Sequence, residues 1–121
     1  MLQDAIQVLD KIQEALAKIQ SADKDRASII RKAVTETRIY IGKIVRLGMN
    51  NRDYEHEANL SRLWSDAAQA YRKVNYSITQ DCDKMSSFWA DPNALESSSI
   101  SRIIDFANTL LEEVHGLFPD L

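Results

Sequence analysis

Leu2-Gln3-Asp4-Ala5-Ile6-Gln7-Val8-Leu9-Asp10-Lys11-Ile12-Gln13-Glu14-Ala15-Leu16-Ala17-Lys18-Ile19 opens the chain. Within it Leu2, Ala5, Leu9, Ile12, Leu16 and Ile19 recur at alternating spacings of three and four. That spacing lines one face of an α-helix and forms the seam by which one helix packs on another. Ile6, Val8 and Ala15 widen the stripe, so this helix is expected to bury against more than one neighbour. It spans about residues 2–20 and runs into the polar joint Ser21-Ala22-Asp23-Lys24-Asp25, which holds several N-cap residues for the next helix. A joint this short makes the first two helices antiparallel.

The same pitch recurs along the rest of the chain. Ile30, Ala33, Thr37, Tyr40, Ile41, Ile44 and Leu47 place a second helix at about 25–47, and Gly48 follows it as a C-terminal cap should. After Met49-Asn50-Asn51-Arg52, Asp53 is placed to cap a third helix at about 53–74, with Leu60, Leu63, Trp64, Ala67, Ala70, Tyr71 and Val74 on its apolar side. Asn75-Tyr76 breaks that pattern. Ser77-Ile78-Thr79-Gln80 then reads as a capping box opening a short helix at about 77–90, which stops before Asp91-Pro92. Ser97-Ser98-Ser99 caps a last helix at about 98–118, whose apolar face includes Ile103, Ala107, Leu110 and Val114. The four longer helices would each be roughly 28 to 35 Å long and the short one about 18 Å. The expected fold is all-α: an up-and-down four-helix bundle with an extra short helix that continues the third helix after a kink or caps one end.

Length and composition agree with one domain, residues 1–121. Apolar residues make up 45% of the chain and charged residues 27%, with three Gly and two Pro, ordinary globular usage that excludes disordered and fibrous classes. The first residues have neither a basic lead-in nor an unbroken apolar stretch, so no signal peptide is expected. No apolar run approaches the roughly 18 residues that cross a bilayer. The lone Cys82 has no partner for a disulfide or a zinc site, which favours a reducing, cytoplasmic setting. Net charge is −3, yet between Asp23 and Arg52 eight basic residues face three acidic ones. A basic helix among acidic neighbours fits complementarity within the molecule better than a nucleic-acid footprint, which makes a whole domain basic.

Chemistry-bearing patterns are sparse. Glu112-Glu113-Val114-His115 has the Glu-x-x-His spacing of carboxylate-bridged metal bundles, and Asp53-Tyr54-Glu55-His56 is a partial match. Glu112 falls opposite the apolar seam of its helix, however, and the inward Glu ligands needed from other helices are missing, since Glu14 and Glu36 lie off their stripes. Cys82 stands between Asp81 and Asp83, whose charge makes a thiolate scarcer. The three glycines, Gly42, Gly48 and Gly116, form no phosphate loop. No catalytic residue, metal or cofactor is assigned.

A surface for a partner remains. Thr35, Ile39, Gly42, Val45 and Met49 follow one another at three- and four-residue steps on the outer side of the second helix, flanked by Arg38, Lys43 and Arg46. A helix apolar on two sides is usually covered on two sides, either by a partner or by Phe88 and Trp89 of the short helix folding back. Ile39, Gly42, Val45, Arg46 and Met49 are therefore the candidate contact residues of a non-catalytic interaction or regulatory module, binding another protein or a copy of itself. The alternative reading is a small-molecule-binding or enzymatic bundle with an aromatic pocket formed by Trp64, Tyr71, Phe88 and Trp89 near the break after the third helix.

Overall fold

A computed structural model of the chain describes residues 2–19, 24–93, 95 and 100–117. Among these the fold is all-helical: α1 Leu2–Ala17, α2 Lys24–Leu47, a single 3-10 turn at Met49–Asn51, α3 Tyr54–Tyr71, α4 Tyr76–Ala90 and α5 Ile100–Leu117. The joint at Ser21-Ala22-Asp23 and the cap at Ser97-Ser98-Ser99 lie outside the described residues, as does the expected stop at Pro119. No helix among the described residues is long and apolar enough to cross a membrane.

Helix ends follow local chemistry. Gly48 takes φ 93° just after α2, a left-handed conformation that glycine adopts without a Cβ clash, and its N–H closes on Ile44 O at 2.8 Å. Asp53 caps α3, its Oδ1 accepting from His56 N–H at 3.1 Å. The start of α4 differs from the capping-box expectation. Asn75, in extended backbone, is the cap, and its side-chain oxygen accepts from Ile78 N–H at 2.9 Å, so Ser77 already lies inside the helix. That early cap also ends α3 at Tyr71 rather than at residue 74. The chain must turn within Arg72-Lys73-Val74, and Val74, 45% exposed, has no core contact to hold it helical.

Side-chain bridges fix how the helices run. Arg38 Nε donates to Asp10 Oδ1 at 2.9 Å and Gln13 Nε2 to Thr35 Oγ1 at 2.7 Å, so a later residue of α1 meets an earlier one of α2. Trp64 Nε1 donates to Thr37 Oγ1 at 2.8 Å and Tyr40 OH to Glu57, which orders α2 and α3 the same way. The α3–α4 contact is the most extensive in the molecule, and it is antiparallel. Ser61 Oγ donates to Ser86 O and Ser86 Oγ to Ser61 O, both at 2.8 Å, while Thr79 Oγ1 reaches Ala68 O at 3.4 Å. Helix α4 thus folds back along α3 rather than continuing it, because the small side chains of Ser61 and Ser86 let the two backbones approach. Phe88 meets Phe106 with ring centroids 6.5 Å apart, joining α4 to α5, and α5 in turn packs on α1. Helix α4 lies between α3 and α5, which make no direct backbone approach among the described residues.

One core runs through all five helices. Leu9, Ile12, Ile30, Ile41, Leu60, Trp64, Ile78, Met85, Ile103 and Leu110 are fully buried, as the helical spacing predicts. Several expected members sit elsewhere: Leu2, Leu63 and Ala70 are half-buried, and Leu47 and Val74, at the ends of their stripes, are 50% and 45% exposed. Burying an indole N–H is costly without an acceptor, and Thr37 supplies one inside the core. Thr37→Val keeps the shape and removes that acceptor. It is expected to destabilise the fold by about 1–3 kcal/mol, read as a lower urea midpoint at unchanged slope.

Candidate interaction surface on α2

The outer surface of α2 is held in place by a polar knot at the corner between α2 and α3. Glu57 lies on the core stripe of α3, three residues before Leu60 and seven before Trp64, and is 2% exposed. Its carboxylate is surrounded by donors. Arg52 contributes Nε at 3.0 Å and Nη2 at 2.6 Å in a two-pronged ion pair, and the Tyr40 hydroxyl donates from α2. The Asp53 N–H in turn donates to the Tyr40 oxygen at 3.0 Å. Burial and the bond to Glu57 raise the Tyr40 phenol far above its usual range, so it stays a donor. The same carboxylate raises the Arg52 guanidinium further and keeps it charged. His56 stacks against Tyr40, centroids 4.7 Å apart, and the Arg52 guanidinium lies 4.7 Å from the centre of the Tyr54 ring. This knot was not foreseen. The available signal was a Glu at a core position five residues after an Arg and facing a core Tyr.

Beyond the knot, the α2 strip lies open. Ile39 is 52% exposed, Val45 37% and Met49 42%; Arg46 is exposed and Gly42 half-exposed. Leu47 adds to the patch. Helix α4 does not cover it, since α2 and α4 make no direct approach and Phe88 and Trp89 are buried on the core side. Thr35 turns toward α1, accepting from Gln13. Arg38 is bound to Asp10, an exposed pair worth about 0–1 kcal/mol. Lys43 and Arg46 form no ion pair among the described residues. Among the described residues, a Cβ at Gly42 would meet only Arg38 Nη1, at 3.6 Å, so nothing within 4 Å there requires glycine.

The four aromatic residues expected to frame a pocket are core. Trp64 and Tyr71 are fully buried, Trp89 is 2% exposed and Phe88 6%. Trp89 meets Phe88 and Tyr40 edge-on, with centroids 5.0 and 5.7 Å apart. Phe88 borders an open groove, about 290 Å³, between α4 and α5, where Phe106, Ser87 and Asp91 are its neighbours, and Trp89 borders a smaller one, about 180 Å³, beside Tyr54 and Pro92. Cys82 is a buried thiol whose pKa burial pushes up, with Asp81 and Asp83 adding to the effect. Glu112 and His115 are exposed, and Asp53 is engaged in its cap. Among the described residues no group of three or more His, Cys, Asp or Glu could hold a metal ion.

Asp81 is the other buried carboxyl. It is 4% exposed, and its Oδ2 finds no hydrogen-bond partner among the described residues. Burial, then Glu113 across on α5, raise its pKa from 3.8 to about 6, with Lys84 pulling the other way. No family model, no curated protein and no solved structure matches this chain.

Two outcomes follow from these carboxyls. Arg52→Ala strands the Glu57 charge in the core and is expected to lower stability by about 3 kcal/mol in denaturant titration. Asp81 binds its proton more tightly folded than unfolded, so its contribution is full below pH 3.8 and is lost as pH rises through about 6. Asp81→Asn should therefore be more stable than the wild type at pH 7.5, by on the order of 2 kcal/mol, with the advantage shrinking to nothing by about pH 4.

Proposed function

We propose that this chain is a non-catalytic, cytosolic interaction module. In this reading residues 1–121 form a single domain, a bundle in which α4 is inserted between the third helix and the last, so that the up-and-down alternation runs through all five helices. It presents the outer face of α2 to a protein partner or to a copy of itself. The observation that carries this reading is the cluster Ile39, Val45, Leu47 and Met49, each more than a third exposed, around an open Gly42. Scattered apolar residues are normal on a protein surface, but four within eleven positions on one helix end form a patch with a cost in water. Glycine inside a helix costs about 1 kcal/mol against alanine, and with only the Arg38 side chain near it among the described residues, close approach from outside explains it best. Lys43 and Arg46 at the edge favour an acidic surface on the partner.

Gly42→Gln separates docking from folding. Helix propensity predicts that the isolated chain gains about 0.5–1 kcal/mol, seen as a higher melting temperature, while the longer side chain blocks close approach. Ile39→Glu places a charge in the same patch. Tagged wild-type chain should retain proteins from its native lysate that both variants lose. Retention of the same proteins by both variants would remove α2 as the docking face.

A further inference from the structure

Charge is divided across the ring of helices. Helix α2 has seven Lys and Arg residues against two carboxylates. On the opposite side, residues 76–93 and 100–117 carry six carboxylates against two cations. Because α2 packs on neither α4 nor α5, these are separate faces of the molecule.

Shape is divided in the same way. The α2 patch is a convex ridge, with Ile39 standing 52% exposed. The α4–α5 face has a depression of about 290 Å³ that holds Phe88 and Phe106, their rings nearly perpendicular at 84°. Lys84 and Arg102 balance Asp83 and Asp91 at its rim, so the acidic excess of this side comes from Asp105, Glu112 and Glu113 along α5. A two-fold pairing of α2 with α2 would set Lys43 and Arg46 against the same cations of the copy, a like-charge arrangement. Seating α2 on the α4–α5 face instead opposes unlike charges and lays an aliphatic ridge over an aromatic floor.

We propose that the chain associates with itself head to tail, the Ile39–Met49 ridge of one copy docking in the Phe88–Phe106 groove of the next. The proposal rests on α2 being the docking face and names a second copy as its occupant. Since the two patches differ, each added copy still offers one ridge and one groove, and growth does not stop at two. Part of the attraction is between exposed charges, so salt weakens it.

Sedimentation velocity of the full chain, from micromolar to millimolar concentration in low and high salt, tests this. The wild type should sediment faster as concentration rises in low salt and return to monomer in high salt. Ile39→Glu spoils the ridge, and Ser87→Arg, at an exposed position beside Phe88, fills the groove without disturbing the core. Each variant alone should associate at least about tenfold more weakly, with an unchanged helical circular dichroism spectrum. Mixed together, the two variants should form a one-to-one dimer and nothing larger, because only one intact ridge and one intact groove remain. A wild type that stays monomeric at millimolar concentration in low salt overturns the proposal. So does Ser87→Arg associating as well as the wild type, which would indicate two-fold pairing through α2. The lysate comparison with Ile39→Glu is read independently: partners lost by that variant while the wild type stays monomeric would sink self-association alone and leave α2 docking intact.

Discussion

The charge of Glu57 constrains this structure more than any other single group. A carboxylate at a core position is tolerated only if donors surround it, and here three come from different parts of the chain: two from Arg52 in the connection and one from Tyr40 on α2. Satisfying it closes the α2–α3 corner. Along the last turns of α2, Tyr40, Ile41 and Ile44 are buried while Ile39 and Val45 are exposed.

Polar groups elsewhere follow a similar logic at smaller scale. Thr37 receives the Trp64 N–H, and Ser61 and Ser86 exchange hydroxyl bonds with each other's backbone. Each bond is modest by itself, and each specifies which helix faces which and at what height. A core of Leu, Ile and Ala alone would tolerate sliding. These contacts at fixed heights make the order of the ring unique. Asp81 and Trp89 depart from that logic: among the described residues the Asp81 Oδ2 has no donor and the Trp89 indole N–H no acceptor, and Glu113 adds to the burial that raises the Asp81 pKa.

That weak spot lies beneath the acidic side of the molecule, whereas the sealed corner underlies the basic one. The two sides differ in charge, in curvature and in the apolar groups they expose.

Helical spacing in the sequence alone determined that the chain is all-α, where its five helices lie to within a few residues, and most of the core, because burial follows the 3.6-residue period whatever the neighbour is. It also marked Ile39, Val45 and Met49 as off the core stripe. Tertiary structure decided the rest. Periodicity says which face is buried but not against what, so the return of α4 along α3, the burial of Trp64, Tyr71 and Trp89 as plain core, and the exposure of Leu47 depended on contacts between residues far apart in the chain. The knot of Arg52, Glu57 and Tyr40 had the same origin: a buried charge is legible only once its partners, seventeen positions apart at the farthest, have been brought together.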